Sequence, residues 1–466
     1  MSDASPELLP GKWDDATLTD RLLAPVFQPS KLIGWLMLPA LAGTGMLFAA
    51  VGYTFLVGLG AWGNNIPVAW AFAIINFVWW IGIGHAGTFI SAVLLLFEQR
   101  WRTSLNRIAE GMTLFALVQA GMMPILHLGR PWFFYWLVPY PATMRLWPQF
   151  MSTLTWDVAA VSTYTIVSIL FWYLGLIPDL AAARDRAKTP RRRRVYGFFA
   201  LGWRGAASHW RHYRVAQLLL AGLATPLVLS VHSIVSMDFA IAKLPGWHSP
   251  IFPPYFVAGA IFSGFAMVVT LLLPLRKLYH LEHVVTARHL DLMAKLILVT
   301  GSIVAYSYAA EAFVAWQSGD PYERHITLVT RPFGPYAPVY WLTIACNVVL
   351  PQFLWFKKLR RNALALWIIS VFVQIGMWSE RFVLIVTSEH QDWLPSSWAM
   401  YRPSVIDGAI LFGTISFFLL LFLIMIRFVP FLPIAEQKEL LAELRHDAER
   451  ATDSKKEVTR AAGAVG

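Results

Sequence analysis

His127, Arg130 and Asp157 are the residues whose types and spacing best suit chemistry. The stretch Pro124-Ile125-Leu126-His127-Leu128-Gly129-Arg130-Pro131-Trp132 closes one apolar run, and Thr155-Trp156-Asp157 opens the next. If both runs cross a bilayer in succession, an imidazole, a guanidinium and a carboxylate meet at one membrane face. Ionisable groups at membrane depth are costly and mark a functional site by default. An imidazole titrates near neutral pH, and a carboxylate can accept a proton from it or from a bound hydroxyl. The set suits proton acceptance from a reduced, lipid-soluble carrier such as a quinol. Trp132 and Trp156 would wall an apolar pocket with few polar contacts; helix packing suits them equally. Arg130 would either hold Asp157 ionised or orient the loop.

The elements that position these residues follow from composition. Hydrophobic residues make up 57% of the 466 and charged ones 14%, which is too apolar for a soluble globular chain. A mean hydropathy of +0.54 agrees. About twenty apolar residues make one helical crossing. Ten stretches qualify, at 34–60, 68–97, 108–128, 156–177, 215–236, 255–275, 291–315, 337–356, 363–387 and 406–429. We therefore expect an all-α integral membrane protein. A segment 1–33 precedes the ten-span domain 34–429, and a tail 430–466 follows it. The acidic residues Asp3, Glu7, Asp14 and Asp15 argue against a secretory signal peptide, so the first span would direct insertion. The tail has helical spacing at Leu440, Leu441 and Leu444, then becomes polar and is expected to be disordered.

Charge gives the orientation. The net charge of +11 is unevenly spread: 29 Lys and Arg fall in the tails and even-numbered loops, six in the odd-numbered loops, and Lys295, Arg381 and Arg427 inside spans. The positive-inside rule places the basic loops and both termini in the cytoplasm. The run Arg191 to Arg194 belongs to that pattern, so no nucleic-acid partner is expected. The opposite loops are rich in Trp, Tyr and Pro, as in Trp132 to Tyr140, Pro332 to Tyr340 and Trp393 to Trp398. Part of that is an interfacial belt; its density also suits burial under an extramembrane partner.

This orientation assigns depths. His127, Arg130, Asp157, His232, Asp238, Glu311 and Asp407 fall at or near the outer ends of their spans, with Glu380 and Arg381 somewhat deeper. His85 lies near mid-span, and Glu110, Asp291 and Lys295 near cytoplasmic ends. His85, Glu110, Asp291 and Glu311 would be steps of a proton path, although packing accounts for each singly. His232 reads as a satisfied core histidine, and Glu380 with Arg381 as a structural pair. Transmembrane haem proteins offer axial histidines in pairs from facing helices; His85, His127 and His232 occur one per span at unequal depths, so no haem is expected. The single Cys346 gives no disulfide and no thiol-held metal.

These residues resemble a known family. Ser230-Val231-His232-Ser233-Ile234-Val235-Ser236-Met237-Asp238, Pro245-Gly246-Trp247-His248-Ser249 and Ile251-Phe252-Pro253-Pro254-Tyr255 are similar to motifs of the NrfD/PsrC-like polysulfide-reductase membrane subunits. His127-Leu128-Gly129-Arg130-Pro131-Trp132 and Trp156-Asp157 resemble its ten-span branch, the ActC proteins of bacterial alternative complex III. The resemblance covers nearly all of 30–430. It implies two four-helix bundles, spans two to five and six to nine, flanked by spans one and ten. It implies a quinol-oxidising subunit of the bacterial cytoplasmic (inner) membrane, using menaquinol or ubiquinol, with His127 and Asp157 as the quinol-site pair and Arg130 and Asp238 near it. Implied partners are a periplasmic iron–sulfur subunit, multihaem cytochrome c subunits and a second NrfD-like membrane subunit. A related alternative is the quinone-binding anchor of a molybdoenzyme. A secondary transporter would instead show inverted repeats with broken helices at mid-membrane.

Overall fold

The computed structural model describes residues 8–11, 13–137 and 152–463; Val138 to Tyr140, the end of the aromatic loop stretch, lie outside them. Helix α1 (Asp15–Phe27) precedes α2 (Lys31–Val57), α3 (Ala71–Leu96), α4 (Asn106–His127) and α5 (Thr153–Arg186). The short α6 (Pro190–Phe199) is followed by α7 (Ala207–Ala240), α8 (Phe252–Leu278) and α9 (Ala287–Gln317). Then come α10 (Ala337–Trp355), α11 (Ala363–Glu389), α12 (Val405–Phe428) and α13 (Ile434–Gly463). Among the described residues ten helices, all but α1, α6 and α13, are long and apolar enough to cross a membrane. The chain is a multi-pass membrane protein.

Helix ends follow from local chemistry. Ser30 and Asn362 cap the first turns of α2 and α11 through their side chains, meeting backbone N–H groups that have no partner within a helix. Gly58 ends α2 with φ +92°. Asp407, in the first turn of α12, closes a capping box with Ser404 and accepts from the Gly63 N–H at 2.8 Å. Two spans run further than their apolar stretches: α5 continues to Arg186 and α7 begins at Ala207. Such basic extensions leave the hydrophobic layer while the backbone stays helical.

Spans α3 and α8 lie at the centre, with 83% of each apolar window buried against 22% for α2. Span α3 packs on α4, α7, α8 and α11; α5 packs on α4 and α7; α8 packs on α7, α9 and α11; and α10 packs on α11. Spans α2 and α12 pack on each other. Two glycines permit the closest crossings. A Cβ on Gly87 of α3 would stand 2.1 Å from the Ala109 carbonyl oxygen of α4, and one on Gly264 of α8 would stand 1.8 Å from Cβ of Ala86. Small residues thus set the approach of the central spans, as is general where lipid supplies no hydrophobic drive.

The ends of the molecule differ in kind. One, the basic face, carries α1, α6, α13 and the Lys- and Arg-rich loops; the other, the aromatic face, carries the Trp- and Tyr-rich loops. Helix α13 is not a loose tail and runs helical to Gly463. Its start is held from a distance: Asp179 of α5 accepts from the Ile434 and Ala435 N–H groups at 3.0 and 2.9 Å. Glu436 is buried and accepts from Asn106 and Gln217 at 2.7 and 3.0 Å, with Arg102 at 3.0 Å. Burial raises the proton affinity of Glu436, but Arg102 and Arg107 outweigh it and hold the carboxyl below its ordinary value.

Candidate functional site

At the aromatic face, α4 delivers His127 in its last turn, and α5 and α7 deliver two carboxylates. Helices α5 and α7 are antiparallel neighbours, so Asp157 near the start of one stands level with Asp238 near the end of the other. Their carboxyl groups face one another, with Thr153 beside Asp238. Asp157 is 5% exposed, and neither of its carboxylate oxygens has a hydrogen-bond donor. Oδ1 of Asp238 and Nε2 of His127 are likewise buried without a partner. Buried polar atoms are nearly always bonded, so these four atoms, with the two carboxyls facing one another, make the ends of these spans a candidate site.

His127 is shaped by a loop that sequence reading left empty. Its ring stacks on Trp70, centroids 5.1 Å apart and planes 8° apart, and meets Trp62 edge-on at 6.4 Å. Trp62 is fixed by a 3.1 Å bond from its Nε1 to the Thr54 hydroxyl. Beside Trp70, Ala71 has φ +35°, a strained value for a residue with a Cβ, and such strain gathers at functional sites. His127 is thus oriented by aromatic faces, while its Nε2 stays unbonded. No hydrogen bond joins it to Asp157 among the described residues; the carboxyl partner of Asp157 is Asp238. Arg130, Trp132 and Trp156 are exposed, the two tryptophans at 59% and 41%, so they lie at the rim rather than in the interior.

The four residues expected on a proton path separate into three places. His85 is not alone at mid-span: its Nδ1 lies 2.9 Å from Nδ1 of His232, and both rings are fully buried with Nε2 unbonded. The expectation that the histidines occur singly at unequal depths is therefore corrected. Helix α7 is 34 residues long and carries His232 two turns inside its aromatic-face end, level with the middle of α3. The two rings touch directly, rather than standing apart as axial ligands of one iron do. Tyr164 closes over His85, donating toward the Gly84 and His85 carbonyls at 3.0 and 3.1 Å.

From this pair a line of hydroxyls descends to the basic face. His85, Thr88 and Ser91 recur every three residues along α3, one stripe of a helix. Thr88 bonds Ser168 at 3.1 Å and its N–H donates to Thr113 at 2.9 Å; Ser91 donates to Glu110 at 2.6 Å. Glu110 lies 3.8 Å from Arg107, which pairs with Asp179 at 2.9 Å. Thr88, Ser91, Tyr164 and Ser168 were missed in the sequence, although the His-x-x-Thr-x-x-Ser spacing could have shown the stripe.

Glu311 belongs elsewhere. It accepts from Arg331 at 2.8 Å and lines a cavity of about 110 Å³ together with Tyr255, Tyr308 and Glu380. Tyr308 donates to Glu380 at 2.6 Å and accepts from Asn347 at 2.9 Å. Asn347 sits in a π-helical turn, Ala345–Val349, a feature frequent at functional sites. Glu380 pairs with Arg381, whose guanidinium lies 4.2 Å from the centroid of the Phe256 ring. Asp291 stands apart from both sets, held by Arg360 and Lys295 at 2.8 and 3.0 Å. Among the described residues no three His, Cys, Asp or Glu side chains converge to hold a metal ion.

Comparison with known proteins matches most of the chain. A Halobacterium salinarum protein, provisionally named as a membrane component of dimethyl sulfoxide reductase, is 24% identical over 414 residues, covering 80% of this chain and 88% of that protein. The pattern of the polysulphide reductase NrfD family matches residues 60–391. That span holds α3 to α11, with His127, Asp157 and Asp238, the His85–His232 pair, and both Glu110 and Glu311. The chain is a member of the polysulphide reductase NrfD family.

Proposed function

We propose that this chain is the quinone-reacting membrane subunit of a respiratory oxidoreductase, lying in a bacterial cytoplasmic membrane with its basic face in the cytoplasm. The observation that carries this reading is the set of unpartnered buried atoms at Asp157, Asp238 and His127. These atoms lie near the exposed Trp132 and Trp156, at the face where a partner would dock. Spans α3, α4, α5 and α7 would form one four-helix bundle and α8 to α11 the other, with α2 and α12 flanking.

In the quinol-oxidising direction the two O–H bonds of the ring break. One proton passes to Nε2 of His127 and the other to the Asp157/Asp238 carboxyls, which can hold a proton between them. The two electrons would leave to an iron–sulfur partner docked on the aromatic face, with quinone as the product. The ActC-like motifs favour this direction, with multihaem cytochrome c and a second NrfD-like subunit in the assembly. The name carried by the Halobacterium relative favours a second reading, in which the same site serves a molybdoenzyme. Purification of the intact assembly separates them. Iron–sulfur clusters and bound quinone are expected in either case, with c-type haem in the first and molybdopterin in the second. An assembly holding neither iron–sulfur cluster nor quinone would contradict both.

The hydroxyl line from Glu110 to the His85–His232 pair provides a route for protons from the basic face. Glu110→Gln is expected to leave quinol turnover in detergent within about twofold. In sealed vesicles it should slow proton uptake from the basic side by about 10²-fold, the low end for a lost proton-transfer group. Unchanged proton movement in the variant would remove Glu110 from the route.

A further inference from the structure

A cavity of about 540 Å³ opens on the basic face between α1, the end of α5 and the start of α6. Phe27 and Gln28 line it from one side, and Arg186, Lys188, Thr189 and Arg192 from the other. Its two carboxylates are already engaged: Asp20 with Arg186 at 3.2 Å, and Asp185 with Arg184 at 2.8 Å. Lys188 and Arg192 have no carboxylate within ion-pair distance among the described residues; the Arg192 guanidinium lies 5.8 Å from the centroid of the Phe27 ring. The cavity therefore keeps two cations that no described carboxylate neutralises.

A second, independent observation concerns the outward side of α6. Arg191, Arg194, Val195 and Phe198 fall at i, i+3, i+4 and i+7, which is one helix face. Val195 is 53% and Phe198 74% exposed. A short helix that bares large apolar groups between guanidiniums suits the plane where lipid headgroups meet acyl chains. The depth fits. Tyr196 donates to the Phe428 carbonyl, the last residue of span α12, at 3.0 Å, and Tyr173 of span α5 donates to the Phe199 carbonyl at 2.8 Å. These bonds fix α6 at the level where two spans leave the membrane.

We propose that this cradle binds one anionic phospholipid, its phosphate held by Lys188 and Arg192 and its acyl chains lying against Val195 and Phe198. Basic residues at a membrane surface select anionic over zwitterionic headgroups. This assignment rests on the membrane spans and is independent of the quinone reading.

The test titrates the delipidated full-length protein separately with phosphatidylglycerol, phosphatidylcholine and inorganic phosphate, counting bound lipid by native mass spectrometry. One phosphatidylglycerol is expected to be retained, and neither of the others should displace it. Lys188→Gln with Arg192→Gln should weaken that binding about 30-fold, the combined effect of two interfacial cations. Lys188→Arg with Arg192→Lys should retain it. Lys357→Gln with Lys358→Gln removes the same charge from another loop of the basic face and should behave as wild type. Helical circular dichroism checks that each variant is folded. Equal weakening in the distant double variant would reduce the effect to general surface charge and overturn the site. So would equal affinity for phosphatidylcholine, or displacement by inorganic phosphate, which would make this a soluble-anion site.

Discussion

Asp157→Asn is expected to lower quinol-dependent reduction of the electron acceptor by about 10²–10⁴-fold, the range for loss of a positioned proton acceptor, with the protein still assembled. The substitution keeps shape and volume, so the packing of α5 against α7 is conserved. It replaces one carboxylate oxygen with an NH2 group, removing the charge and the proton-accepting carboxylate, and leaves Asp238 facing an amide. A residue that served only to pack would tolerate this change. His127→Ala is expected to fall in the same range, because Trp70 and Trp62 hold the ring but no other base stands in its place. Steady-state turnover, paired with size-exclusion chromatography of the assembly, reads both effects. Turnover near wild type in both variants would show that the protons of the quinol leave by another route.

Arg107→Ala acts on assembly rather than chemistry. Arg107 is 2% exposed and donates to the Gly175 carbonyl at 2.7 Å and to Asp179 at 2.9 Å. Asp179 in turn caps the first turn of α13, so one guanidinium joins α4, α5 and the helix that follows the last span. Removing one partner of a buried pair leaves a charge uncompensated and costs about 3–5 kcal/mol. The expected result is a sharply lower unfolding temperature of the purified protein and less of it in the membrane. A double variant with Asp179→Ala should lose less than the sum of the two single variants, because the orphaned carboxylate is gone. Strict additivity would mean that the pair does not act as a unit.

Part of this architecture is legible from residue order alone. All ten spans are readable because each crossing needs its own apolar run, and Asp157 and Asp238 read as level because antiparallel neighbours bring the start of one helix beside the end of another. Pairing across the bundle is not readable in that way. His85 and His232 meet because α3 packs on α7, three spans later, and because α7 starts eight residues before its apolar stretch. Nothing local to either histidine encodes that contact. The cap of α13 comes from Asp179, 255 residues away from Ile434, so the tail reads as unsupported in sequence. The orientation of His127 depends on Trp62 and Trp70, from a loop whose lack of charge left no signal. Asn347 is turned toward Tyr308 by a π-helical turn that the apolar pattern of α10 conceals.

The central claim is that a quinone ring reacts at the outer ends of α4, α5 and α7. A photoreactive quinone analogue, illuminated on the intact assembly and followed by peptide mapping, tests it most directly. Labelling is expected on peptides carrying His127, Asp157 and Asp238, and competition by native quinol should abolish it. Competable label confined to peptides around Glu311 and Glu380, or to the basic face, would contradict the claim.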